Sequence, residues 1–207
     1  ADAESVVVND YVVDQGEALL ILTGPNSGGK TTYLRAVAQA QFLGQHGFPL
    51  PARTAKLTVV PAILSLFAAA DTQEVTVEGR LANELRQLSE TIEGAPGGAL
   101  YLFNEAFSST GTDDAVEIAE DVIRGIVDSG GRVLFATHLH ALAGKRAELA
   151  QEFGDAEVVT LVARLEGETP TFRVERGDPE GRSYAARLVK EYGLDHDSLL
   201  RRLKKNE

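Results

Sequence analysis

Lys30 and Thr31 close a loop with three glycines, Gly24-Pro25-Asn26-Ser27-Gly28-Gly29. That order of residue types suits a polyphosphate. Gly24 to Thr31 fits the spacing G-x-x-x-x-G-K-[ST] of a phosphate-binding loop. Glycines let backbone N–H groups curl round phosphate oxygens, and the N-terminus of a following helix adds partial positive charge. Lys30 would bridge the β- and γ-phosphates of a nucleotide, and the Thr31 hydroxyl would hold Mg²⁺. The binding residues expected here are Gly24, Pro25, Asn26, Ser27, Gly28, Gly29, Lys30, Thr31 and Thr32. The bland alternative is an ordinary glycine-rich turn. All motif positions and both flanks, an apolar run before and a helical pattern after, count against it.

Enzymes with such a loop need a second strand that ends in an acidic pair. Tyr101-Leu102-Phe103-Asn104-Glu105 has this form with one change, since Asn104 stands where Asp is expected. Its carbonyl oxygen can serve a magnesium-bound water but carries no negative charge. Glu105 keeps a carboxylate in the place of the general base. A metal shell of Thr31, Asn104 and Glu105 around Mg²⁺ is therefore expected. A third apolar run, Val133 to Thr137, ends at His138. Ligands collect at the C-terminal ends of strands in open α/β sheets, so His138 is placed to meet a γ-phosphate or the attacking water. Lys30, Glu105 and His138 are the expected catalytic side chains. His46, His140 and His196 carry no such argument, and no residue spacing here suits zinc.

The elements that position these residues follow from periodicity. Leu19–Leu22, Ala99–Phe103 and Val133–Thr137 read as buried strands. Tyr33 to Leu43 reads as a helix ended by Gly44 and Gly47, and Arg80 to Ile92 as another. Asp113 or Asp114 is expected to cap a long helix, closed by Gly130-Gly131. Ala141 to Phe153 reads as one further helix. Val6–Val8 and Tyr11–Val13 read as edge strands or a lead-in, and Leu57–Leu66 as a strand with a crossing segment. The stretch Ala68 to Gly79 reads equally as alternating strand or loop. Val158–Leu165 and Thr171–Val174 read as a hairpin, followed by two short helices, Ser183–Tyr192 and Ser198–Lys205. Apolar strands alternating with helices predict an α/β fold with a mainly parallel sheet flanked by helices. The expected division is a body over residues 1–180 and a C-terminal helix pair over 181–207.

A length of 207 residues suggests one domain with a small appendage. There is no cysteine, which is compatible with a reducing cytosol. There is no methionine either, which suggests a piece of a longer protein. No apolar run reaches membrane-spanning length, so no membrane partner is expected. A formal charge of −11 argues against a broad DNA- or membrane-binding face on this stretch.

Together these stretches resemble the ATPase domain of the MutS family of DNA mismatch-repair proteins. Thr23 to Arg35 is similar to that family's T-G-P-N-x-G-G-K-[ST]-T-x-x-R. Pro51-Ala52 matches its V-P-A. Asn104-Glu105, Ser109-Thr110 and Asp114-Ala115 track its D-E-x-x-x-G-T-S-T-x-D-G. Ala136-Thr137-His138 matches its A-T-H, and Gly177 through Arg182-Ser183-Tyr184 resembles its G-x-x-x-[KR]-S-Y-G. The departures are Asn104, Phe107 and Ser108 in place of Gly-Arg, Gly111 in place of serine, and Ala185 in place of glycine. They suggest a divergent branch.

The resemblance implies a P-loop NTPase of ABC type with ATP and Mg²⁺ as its ligands. It implies a homodimer in which each ATP lies between two subunits. The loop Ser108 to Thr112, with Ser109, Thr110 and Thr112 as its contact residues, would reach the partner's γ-phosphate, and with Gly111 lacking a hydroxyl, Thr110 or Thr112 would substitute. The C-terminal helix pair would help hold the dimer. Adenine would lie between a residue before the phosphate-loop strand and Phe172. DNA would be bound by other domains of the parent, and the protein would be cytoplasmic and nucleoid-associated. Two other readings compete. One is a nucleotide-gated dimerisation switch with little hydrolysis, suggested by Asn104. The other is a different ABC-type ATPase, such as an SMC-like head or a transporter subunit. Gly24-Pro25-Asn26 and the lack of an L-S-G-G-Q-type signature before Asn104-Glu105 count against it.

Overall fold

Short runs of Leu, Ile, Val and Phe form the centre of the molecule, because strands buried on both faces need no polar alternation. The computed structural model describes residues 6–67, 77–154, 157–167, 169–178 and 189–203. Six strands make one sheet: β1 (Glu17–Thr23), β2 (Ile63–Phe67), β3 (Leu100–Asn104), β4 (Arg132–Ala136), β5 (Glu157–Glu166) and β6 (Thr169–Arg176). Their order is β2-β3-β4-β1-β5-β6, and every pair is parallel except β5–β6. The mainly parallel α/β sheet matches the reading from periodicity.

Alternation along β1, β3 and β4 assigns side chains to two cores. Leu20, Leu22, Leu102 and Leu134 face α1 (Lys30–Gln45), whose Leu34 and Val37 cover them. Leu19, Ile21, Phe103 and Phe135 face the other way. There they meet Leu88 of α2 (Val77–Ile92) and Val116, Ala119 and Ile123 of α3 (Thr112–Asp128). Leu142 of α4 (His140–Gly144) and Leu149 of α5 (Arg146–Glu152) complete that layer. The described chain ends in α6 (His196–Leu203).

Three local expectations are corrected. Of the two readings of Val6–Val8 and Tyr11–Val13, edge strands or a lead-in, only the lead-in stands, since they form no strand. Instead the Asn9 side chain takes ladder bonds of β6, donating to the Phe172 carbonyl at 2.8 Å and accepting from the Val174 N–H at 2.7 Å. Helix α3 begins at Thr112, with Gly111 at its N-cap and no side-chain cap. Asp113 and Asp114 sit inside the first turn, where negative charge still suits the helix dipole. The stretch read as one helix over 141–153 is two, parted at Lys145. The first C-terminal helix falls mostly outside the described residues, only 189–191 being helical there. Arg182, Ser183, Tyr184 and Ala185 also lie outside them. No helix among the described residues is long and apolar enough to cross a membrane.

Candidate active site

The motifs converge because β4 lies between β1 and β3 and the three strands end level. Leu22 and Asn104 both pair with Ala136. The Glu105 N–H donates to the Ala136 carbonyl at 2.8 Å, and the Thr137 N–H to the Leu22 carbonyl at 2.9 Å. So the loop after β1, Asn104-Glu105 at the end of β3 and Thr137-His138 after β4 open onto one edge.

The loop from Gly24 to Gly29 turns tightly back into α1. Gly24 has φ +142°, and a Cβ there would stand 2.7 Å from the Ala163 Cβ of β5, so no side chain fits. Gly29 is the N-cap of α1 with φ +89°. Gly28 is buried, while Asn26 and Ser27 are exposed. The Ser27 hydroxyl donates to the Asn26 carbonyl.

Lys30 is 5% exposed and buried under this loop. Its ammonium donates to the Gly24 and Pro25 carbonyls at 2.8 and 3.1 Å and lies 3.1 Å from Glu105 Oε1. The other carboxylate oxygen, Glu105 Oε2, accepts from the His138 backbone N–H at 3.1 Å and lies 2.6 Å from His138 Nδ1. Glu105 thus joins the phosphate-loop lysine to the strand-end histidine. The Thr31 hydroxyl donates to Asn104 Oδ1 at 2.9 Å. Thr32 lies in the first turn of α1 and is exposed.

Thr31 and Asn104 present two hard oxygen atoms side by side, with the Glu105 carboxylate on the next residue. That donor set suits Mg²⁺, which is held by one or two protein oxygens plus phosphates and waters. Among the described residues, no group of three or more His, Cys, Asp or Glu could hold a metal ion by itself.

Phe172 stands at the opposite wall. Its ring carbon comes 3.3 Å from where a Gly29 Cβ would be, so it lies over the start of α1. The lead-in chain completes that wall. The Tyr33 hydroxyl donates to the Asp10 carbonyl at 3.0 Å, and Tyr11 packs edge-on to Tyr33 at 6.3 Å. Burial pushes the Tyr11 phenol up to about 12 and raises that of Tyr33 as well. Both rings are neutral packing groups at physiological pH.

Ser109, Thr110 and Thr112 follow Glu105 in the turn before α3. The Ser109 hydroxyl is buried, whereas Ser108 and Thr112 are exposed. Among the described residues, the non-glycine positions with positive φ are Ser27, Glu105, Phe107 and Phe172. Ser27, Glu105 and Phe172 line this one site, and Phe107 lies two residues beyond Glu105 in the core, so strained backbone collects where the site is held in shape.

Sequence reasoning missed Asn9, Tyr33 and Glu84. Glu84 of α2 accepts a hydrogen bond from the Phe107 N–H at 2.9 Å. A β-prone run hid Asn9, and helical periodicity gave Glu84 no distinction. Asn9-Asp10 interrupting two valine runs was the available signal for a side chain taking over from backbone.

The sequence profile of MutS domain V matches residues 20–197. The chain is 32% identical over 201 residues to the DNA mismatch repair protein MutS of Streptococcus gordonii, covering 97% of this chain and 23% of that protein. It is 31% identical over 201 residues to the DNA mismatch repair protein HexA of Streptococcus pneumoniae serotype 4, covering 96% of this chain and again 23% of the relative. With that coverage, and with the phosphate loop, Asn104-Glu105 and Thr137-His138 meeting at one sheet edge, the chain belongs to the MutS family, in its domain V.

Proposed function

We propose that this chain is the ATP-binding and hydrolysing domain of a divergent MutS-like DNA repair protein, with an ABC-type P-loop fold. The observation that carries this reading is the bridge from Lys30 through Glu105 to His138, beside the Thr31–Asn104 pair. Backbone N–H groups of Asn26 to Thr32 bind the phosphates, Pro25 having none to donate. Lys30 leaves its carbonyl and carboxylate partners to meet the β- and γ-phosphates. Glu105 is then free to accept a proton from the attacking water, and His138 orients Glu105 or the γ-phosphate. Thr31 and Asn104 would hold Mg²⁺, which would supply positive charge against the phosphates. Phe172 and the Asn9 segment flank adenine.

In the same reading the site is completed by a second copy of the chain. Ser109, Thr110 and Thr112 reach the partner's γ-phosphate, and the C-terminal region over 181–207 contributes dimer contact. ATP state is coupled to DNA binding by domains beyond this stretch, in a cytoplasmic, nucleoid-associated protein. The chain spans about a quarter of the length of the curated relatives it matches, 23% in each case.

The test is single-turnover hydrolysis of Mg-ATP over a wide range of protein concentration. A rate that climbs with concentration is the expected result. Lys30→Ala should weaken ATP binding by roughly 1.5–3 kcal/mol, about 10- to 100-fold, because a charged hydrogen-bond donor is lost. Glu105→Gln should keep binding and slow turnover by roughly 10²–10⁴, the usual worth of a general base. Unchanged affinity in the first variant, or normal turnover in the second, refutes the assignments. One observation favours the switch reading: Asn104 is neutral and already bonded to Thr31. A flat, near-zero rate at saturating ATP would select it.

A further inference from the structure

We infer that Glu84 is a positioning residue that sets the Ser108–Thr112 loop for the neighbouring subunit; this rests on the composite-site reading above. Glu84 belongs to α2, outside all the motifs. Its carboxylate Oε2 accepts from the Phe107 N–H at 2.9 Å, across 23 residues of sequence. Phe107 is the residue this bond must hold. Its φ is +64°, a conformation that a bulky side chain rarely adopts, and its ring is wholly buried against Phe135. The turn bends there, two residues after Glu105.

A second observation ties Glu84 to the loop. The Ser109 hydroxyl is buried beside the same carboxylate and helps to lower its pKa, yet it forms no well-aligned hydrogen bond among the described residues. Burial outweighs both neighbours and holds the Glu84 carboxyl above the usual carboxylate range. A half-buried carboxylate kept against its desolvation cost needs such donors. Its Phe107 bond fixes the bend, and its second contact lies at the buried Ser109 hydroxyl, two residues further on. Leu81 and Leu88, on the same side of α2, seat that helix on the core, so Glu84 is held from behind. Where α2 stands therefore decides where the loop points.

The test pairs Glu84→Ala with Glu84→Gln in the full chain. Gln keeps an oxygen to accept from Phe107, so it is the rescue variant. In Glu84→Ala, the Phe107 amide should exchange hydrogen about tenfold faster, because a local opening has become easier, while amides of β3 and α1 keep their rates. The concentration-dependent rate should fall about tenfold or more through loop misplacement, with ATP affinity within about twofold of the parent. Glu84→Gln should restore both to within about threefold. Unchanged Phe107 exchange in Glu84→Ala overturns the proposal. So does equal loss of exchange protection across α1, β3 and the loop, which marks a general folding defect. A parent chain whose turnover ignores concentration overturns the composite site instead, and leaves the exchange result to judge Glu84.

Discussion

Asn104 puts an uncharged amide where a carboxylate is expected, and its position shows what that amide still does. Its Oδ1 accepts from Thr31 at 2.9 Å, so it orients the hydroxyl that would hold the metal. What it lacks is charge, and a charged acceptor makes roughly twice as strong a hydrogen bond as a neutral one. Asn104→Asp should lower the Mg²⁺ concentration for half-maximal turnover about tenfold, ~1.4 kcal/mol of metal affinity. A Mg²⁺ titration at fixed ATP reads this directly, and an unmoved midpoint means the neutral oxygen suffices. At this scale the sequence was most legible where chemistry and spacing coincide, as in Gly24 to Thr31. Individual bonds were not legible. Thr31 and Asn104 are 73 residues apart, and only the sheet brings them together.

Among elements, the lead-in segment departs from one of its two readings, that of an edge strand. Its valines suggest a strand, but Val6, Val8 and Val12 are exposed, and Asn9 alone of its side chains takes the β6 ladder positions. A strand would need successive backbone groups in register, and here one amide side chain substitutes for them. Such a substitution is invisible to periodicity, which counts apolar residues and not where hydrogen bonds go. Phe172, at φ +57°, is the residue whose carbonyl Asn9 holds. Asn9→Ala should therefore loosen the wall beside Gly29 more than the phosphate cradle. Affinity for ATP should fall about tenfold, ~1.4 kcal/mol for two partly exposed hydrogen bonds, while affinity for inorganic triphosphate stays within about twofold. Competition between the two ligands separates the effects. Equal losses for both would place the damage in the loop itself.

The molecule as a whole is acidic, and one buried carboxylate ties its two halves of chain together. Glu17 of β1 accepts from both Arg176 nitrogens, at 2.5 and 2.8 Å, and from the Asp14 N–H at 2.8 Å. Burial would raise its pKa, but Arg176 and the Asp14 N–H outweigh that and hold it below the usual range. The folded value is thus below the unfolded one, near 4.3. Stability from this group is fully present above that unfolded value and is lost as pH falls through the folded one. Urea midpoints from pH 7 to pH 3 should drop on the acid side, and Glu17→Gln should flatten part of that limb. Gln cannot keep the ion pair, so its midpoint at pH 7 should be lower by about 2 kcal/mol of stability. The alternation of apolar strands and helices made the overall sheet legible from sequence, whereas β4 standing between β1 and β3 was not, since strand order is set by packing of distant helices. That placement divides the sheet into a working rim and a free rim. Leu22, Ala136 and Asn104 are aligned on one line, so a single residue gained or lost inside β1, β3 or β4 would shift a motif by about 3.3 Å and turn its side chains to the opposite core. The turns at the other rim, around Gly94–Gly98 and Ser129–Gly131, are under no such constraint of level. A reporter, a tag or an inherited insertion belongs at Gly94, where an added side chain meets nothing within 4 Å, and not at Gly97 or Gly131, where one would press on the backbone of Ser129 or Ile126.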